Sequence, residues 1–161
     1  MRKTKEDHKR EIIDELVQAR RGLVDAIVVL PPERVDEVFI GEWTVKDLVA
    51  HLVGWDLTNL AAIREILDGE YPSFFQFYDK DWRSYNASLV KQYKIEPFPD
   101  LIAEVQDSHH QLVTFLEALP PEQVINGKAR SLSGRTMSIR SLLRFEVRDE
   151  QEHTRQVQGS Y

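Results

Sequence analysis

The sequence contains no cysteine. That excludes a disulfide framework, a thiolate metal site and a cysteine nucleophile, and it fits a reducing compartment. Nowhere does an apolar run reach the roughly 18 residues that a membrane-spanning helix needs. The opening stretch MRKTKEDHKREIIDEL has no apolar segment behind its basic residues, unlike a secretion signal. The expectation is a cytoplasmic protein with no membrane partner. Glycine-rich phosphate loops of the GxxxxGK or GxGxxG type and a GxSxG elbow are missing too. With no recognisable Ser/His/Asp order either, covalent acyl chemistry is set aside. Strand-like alternation is so scarce that no segment reads as a convincing strand.

Positive charge is also in short supply. Against 27 Asp and Glu stand 21 Lys and Arg, for a net charge of -6. Five of those cations fall in the first ten residues, opposed there only by Glu6 and Asp7, so the body of the chain is acidic. Nucleic acid requires a concentrated positive surface, and on this ground no nucleic-acid partner is expected. The basic start reads as a solvated first helical turn capped by Thr4.

What the sequence has is helical periodicity. Its 161 residues, 42% hydrophobic, suit a single domain spanning 1–161 with a core of ordinary size. Ile12, Ile13, Leu16, Val17, Leu23, Val24 and Ile27 recur at three- and four-residue intervals and predict a helix over about 5–30, stopped by Pro31-Pro32. Thr44 and Asp47 form a capping-box signature ahead of a second helix over about 45–68, with Gly69 as its stop. Pro99-Asp100 opens a third, ended by Pro120-Pro121, and Ser138 caps a fourth. Four long helices and one short one in the 70–97 connector give an all-α bundle.

An internal repeat supports that count. Leu30-Pro-Pro-Glu-Arg-Val35 recurs as Leu119-Pro-Pro-Glu-Gln-Val124, and each copy is followed by a capped helix start at Thr44 or Ser138. Helices one and three, and helices two and four, are therefore expected to be counterparts.

The fourth helix departs from ordinary patterning. Its apolar stripe begins with Ile139, Leu142 and Leu143 but arrives at Glu146, Asp149 or Glu150, and His153. Buried carboxylates must be hydrogen-bonded, paired or bound to a cation; the alternative is a solvated C-terminal half. Asp149 and His153, four residues apart, share a helix face, and His51 lies on the counterpart helix. If they converge, two imidazoles and a carboxylate form a site for a divalent transition metal, with zinc, nickel, iron and manganese all suited to such donors.

Other residues carry weaker signals. Trp43 and Trp55 flank His51, with Trp55 first of all a core residue. His109 falls on an apolar stripe, as a hydrogen-bonded core or interface histidine or as a second lining residue of the same cavity. Nine of the fifteen aromatic residues crowd into 71–98, a density that predicts core cover and pocket wall, with Asp79 as cap of the short helix. The stretch from Asn126 to Arg135 reads as a solvated connection, its three basic residues otherwise an attractor of anionic substrate.

The phrase Gly41-Glu42-Trp43-Thr44-Val45-Lys46-Asp47-Leu48 with Ala50-His51-Leu52 and Trp55, the LPPE corners and the late Asp149-Glu150-Gln151-Glu152-His153 resemble the DinB-like four-helix-bundle superfamily. The segment around Asn86 and the third helix resemble its ClbS/DfsB-type branch, and mycothiol-dependent isomerase amino-terminal domains are more distantly similar. The resemblance implies an up-up-down-down bundle, frequently a homodimer. It also implies a metal held by a second-helix histidine, matched by His51, and by a His-x-x-x-His pair, of which His153 matches one member and Asp149 replaces the other. The function expected is a metal-dependent hydrolase, or a thiol-dependent transferase or isomerase, acting on a small-molecule substrate through a metal-activated water. Glu150, Glu146 and Asp56 are the candidates to orient that water or pass a proton. The alternative is a bundle that binds a small molecule, or protects against one, with no working metal site.

Overall fold

A computed structural model describes residues 1–159. Four long helices form the bundle: α1 (Lys5–Val28), α2 (Val45–Leu67), α5 (Phe98–Ala118) and α7 (Ile139–Gly159). Between α2 and α5 lie α3 (Phe75–Tyr78) and α4 (Trp82–Tyr93). The capping chemistry is as the sequence predicts for three of the long helices. Thr4 with Asp7 and Thr44 with Asp47 each form reciprocal capping boxes, and the Ser138 hydroxyl accepts the Ser141 N–H. Gly69, at φ 81°, follows α2 directly, its N–H donating to the Ile66 carbonyl. The cap of α4 is Asp81 rather than Asp79, its carboxylate accepting from the Arg83 and Ser84 N–H groups. Asp79 instead pairs with Arg135.

The LPPE repeat marks two structurally matching units. A 3-10 turn, Pro32–Asp36, leads into a hairpin of β1 (Val38–Ile40) and β2 (Trp43–Thr44) and then α2; α6 (Pro121–Asn126) leads into a hairpin of β3 (Lys128–Arg130) and β4 (Thr136–Ser138) and then α7. These two antiparallel hairpins correct the expectation of no strand. With only two or three residues per strand, they are too short for alternation to register in the sequence, although Ala129 and Met137 do face the core as a cross-strand pair.

The core has two parts. One joins Ile12–Ala19 of α1, Leu60–Ile66 of α2, Leu112 and Leu116 of α5, and Ile139–Val147 of α7. The other joins Leu23 and Ile27 of α1, Val45–Val53 of α2, Leu101 and Val105 of α5, and Val157 of α7. Thus α1 and α7 run together and α2 and α5 run against them: the helix directions are up-down-down-up. The bundle is of the expected kind, but the up-up-down-down order that the resemblance implied does not hold. The order is decided by α1 and α2 running antiparallel, since Leu23 and Ile27 near the end of α1 meet Val45–Val53 at the start of α2.

The aromatic connector covers α2. Leu89 of α4 sits over Gly54, where a Cβ would stand 2.7 Å from the Leu89 Cβ, so only glycine admits this approach. Phe74 and Phe75 are buried, and Trp55, Tyr78 and Tyr85 pack edge-on around Phe74 or one another. The density of rings serves as core cover and pocket wall.

Candidate metal centre

His51, two turns into α2, is buried between the Trp43 ring, 4.8 Å away centre to centre, and the edge of Trp55 at 6.3 Å. Antiparallel packing of α2 on α7 brings His153 to 5.5 Å from it, ring to ring. Asp149 lies between them. Its Oδ2 is 3.2 Å from His153 Nε2 and 3.6 Å from His51 Nε2, and one ligand atom from each of the three residues falls within 4.8 Å of the others.

The donor set fits a divalent transition ion. Both ring nitrogens of His51 are buried with no hydrogen-bond partner, a costly condition unless something else engages them. His153 Nδ1 lies 2.7 Å from Gln156 Oε1. Donation of that N–H to the amide oxygen turns the Nε2 lone pair toward Asp149 and His51, the second-sphere arrangement typical of ligating histidines. Burial lowers the His51 pKa, keeping the ring neutral as a ligand must be. Burial acts on His153 in the same sense, but the Asp149 carboxylate prevails and raises its pKa. Burial would raise Asp149, yet the two imidazoles beside it hold its carboxyl well below the usual range.

One helical turn deeper lies a second polar cluster that sequence reasoning only half anticipates. Asp56, Glu146 and Glu150, each a candidate to orient a water or pass a proton, come together around Arg20 of α1. The guanidinium donates to Glu150 through Nε and Nη2, to Asp56 through Nη1 and Nη2, and to the Val105 carbonyl through Nη1. All of its donor groups are thereby engaged. Ser108 of α5 completes the cluster, donating to Asp56 Oδ2 at 2.6 Å. Position 20 lies in step with Ile13, Leu16, Leu23 and Ile27, so a charged residue on a buried stripe was the signal available for it.

The three acids are not equivalent. Asp56 and Glu150 are fully buried against Arg20. Glu146 is 3.8 Å from the guanidinium, accepts from Asn59 Nδ2 at 2.9 Å, and alone of the three lines the cavity beside His51 and Asp149. Burial together with the negative charge of Glu150 and Asp56 pushes its carboxyl well above the usual range.

That cavity, about 250 Å³, is walled by Trp55, Phe74, Phe75, Tyr78, Phe145 and Leu142, with Arg135 and Met137 from the second hairpin. Asn86 of α4 also lines it and accepts the Trp55 indole N–H at 2.9 Å. His109 is not among the lining residues. It is half-buried, and neither of its ring nitrogens makes the hydrogen bond expected of it.

A family model described as the DinB superfamily matches residues 15–157. The chain belongs to the DinB superfamily. No curated protein sequence matches it. Among solved structures it is similar to the colibactin self-resistance protein ClbS in complex with a dsDNA, with a TM-score of 0.80 and 16% identity over 94% of each chain. An uncharacterised protein from Escherichia coli UTI89 aligns with a TM-score of 0.77 and 17% identity, over 94% of this chain and 91% of that one. YfiT from Bacillus subtilis, described as "a probable metal-dependent hydrolase with an unusual four-helix bundle topology", aligns with a TM-score of 0.70 and 20% identity, over 98% and 87%.

The ClbS complex overturns one expectation. Net acidity argues against nucleic acid, yet a protein with this DinB-like fold is solved on duplex DNA. Net charge describes the average surface, whereas phosphate contacts need only a local one, so the exclusion does not stand. As for the membrane, no helix among the described residues is long and apolar enough to cross one.

Proposed function

We infer that this DinB-superfamily chain is a metal-dependent hydrolase of a small molecule, with His51, Asp149 and His153 holding one divalent transition ion at the inner end of the aromatic cavity. The observation that carries this reading is the buried, unpartnered Nε2 of His51, 3.6 Å from Asp149 Oδ2, opposite a His153 that Gln156 orients. The likeness to YfiT supports it, as does the donor chemistry. When bound, such an ion supplies Lewis acidity to a water or substrate oxygen.

The protein's own groups then divide the work. The aromatic wall holds the substrate's apolar body and excludes water. Glu146, lining the cavity with its carboxyl pushed upward by burial and its acidic neighbours, gives a proton to a departing group. Asp56 and Glu150 act at one remove: their ion pairs with Arg20 fix α2 and α7 and so hold His51 opposite Asp149. A homodimer and a cytoplasmic setting belong to the same proposal. Exposed Phe77, Trp82 and Phe145 offer apolar surface for a subunit contact, and light scattering at tens of micromolar is to show twice the chain mass.

The test is a panel of small esters, lactones and amides assayed with zinc-, nickel- or manganese-loaded protein. Turnover that disappears on chelation, and in the His51→Ala and Glu146→Gln variants, supports the reading. Turnover indifferent to chelation contradicts it.

A second reading has its own support. Asp149 stands where the family resemblance implies a histidine, its side chain is half exposed, and one similar structure is a self-resistance protein. On that reading the cavity sequesters a ligand without a catalytic ion. Duplex DNA belongs among the partners to be assayed.

A further inference from the structure

Arg135 occupies a place that the metal reading leaves unused. Among the described residues lining the cavity it alone carries a positive charge. It follows a turn in which Gly134 adopts φ 91°, and the Ser131 hydroxyl accepts the Arg135 N–H at 2.9 Å, fixing where the side chain departs. The guanidinium lies 4.6 Å above the Phe75 ring and pairs with Asp79 at 2.7 Å. Asp79 lies outside the cavity lining and is half exposed, as is Arg135, so this ion pair is readily exchanged for another anion.

From Arg135 the wall is continuous in rings. Phe75 stacks on Phe74 at 4.1 Å, Phe74 meets Trp55 edge-on at 5.4 Å, and Trp55 meets His51 at 6.3 Å. The cavity therefore has an apolar, aromatic middle between two polar ends of different chemistry: a guanidinium at one, and at the other His51, Asp149 and Glu146. Its volume holds about eight waters, or a ligand on the order of a dozen non-hydrogen atoms.

We propose that the cavity binds a compact aromatic or conjugated molecule bearing one anionic oxygen group, which docks on Arg135 and directs the other end of the molecule toward His51 and Asp149. This rests on the small-molecule reading of the same cavity and names the class of its ligand. A planar body is selected because edge and face contacts with Trp55, Phe74, Phe75 and Tyr78 reward flat rings. An anion is selected at Arg135 because the guanidinium fork gives directional, charge-assisted hydrogen bonds while it stays stacked on Phe75. Asp79 then acts as a built-in competitor that holds Arg135 in place until the ligand arrives.

The test uses chelator-treated protein, so that absence of a metal site leaves the outcome unaffected and a carboxylate has no ion to ligate. Naphthoate, naphthylmethanol and naphthylmethylamine are titrated by calorimetry. Naphthoate is expected to bind at least about tenfold more tightly than the alcohol, and the amine no better than the alcohol. Arg135→Gln is expected to abolish the preference for naphthoate while leaving the alcohol's affinity within about twofold. Asp79→Asn, which removes the competitor, is expected to tighten naphthoate binding several-fold, and it supplies a check independent of whether Arg135→Gln folds. Equal affinity for the three probes, preference for the amine, a preference that survives in Arg135→Gln, or no binding of any probe at millimolar concentration overturns the proposal.

Discussion

The Arg20 guanidinium of α1 and the fully buried Glu150 carboxylate of α7 meet through three N–H···O contacts of 2.6–3.1 Å, while the same guanidinium grips Asp56 of α2 and the Val105 carbonyl of α5. One side chain thus joins all four long helices at the level just below His51. Replacing Arg20 with Met leaves Asp56 and Glu150 buried without a counter-charge. A loss of about 3–5 kcal/mol is expected in urea unfolding. Replacing Asp56 and Glu150 by Leu in the same chain is expected to restore most of that loss, because an apolar cluster of similar volume has no desolvation cost to offset.

Gly54→Ala is expected to destabilise the fold by about 1–3 kcal/mol. The new Cβ would stand 2.7 Å from the Leu89 Cβ, which belongs to the root of its side chain and cannot swing away, so α4 itself must move. Because α4 carries Asn86 on the cavity wall, ligand affinity is to fall in parallel with stability. Thermal melts and titration of the naphthoate probe measure both.

His109 gives the fold a pH dependence whose sign is fixed. Burial, aided by the nearby positive charge of Arg20, lowers its pKa to about 4 from the ordinary 6.5. A histidine depressed in the folded state is protonated first in the unfolded chain. Its contribution is therefore constant above pH 6.5 and turns against folding as pH falls toward 4. Between pH 7 and pH 5 that amounts to about 2 kcal/mol. In His109→Leu this part of the slope is expected to vanish, as measured by urea unfolding at the two pH values.

Metal affinity is expected to rise with pH. The ion must displace the proton that Asp149 stabilises on His153, whose pKa lies above the ordinary 6.5. Below that pKa the apparent affinity should drop about tenfold per pH unit. His51, held neutral by burial, adds no such dependence near neutrality. Zinc titrations at several pH values and constant ionic strength test this.

The sequence made some of this legible and hid the rest for physical reasons. His51, Asp149 and His153 could be placed because helical periodicity reports facing, and a four-residue spacing leaves little freedom. The LPPE repeat located the two units and paired α2 with α7. Helix direction was not legible, because an amphipathic stripe is the same read up or down the bundle. The hairpins escaped because strands of two or three residues carry no period. Arg20 sits in register with Ile13, Leu16, Leu23 and Ile27, and a lone cation on an apolar stripe points to a buried acid elsewhere, here Asp56 and Glu150 on α2 and α7. Asp79 and Asp81 both satisfy the cap signature in sequence, and only the tertiary contact of Asp79 with Arg135 separates them.

Zinc titration of chelator-treated, untagged protein by calorimetry reads out the single metal ion held by His51, Asp149 and His153. About one ion per chain is expected in the wild type, no binding in His51→Ala or His153→Ala at unchanged helicity, and equal or tighter binding in Asp149→His, because a third imidazole completes the set. Wild-type protein that takes up no ion, or alanine variants that bind as the wild type does, would contradict that assignment.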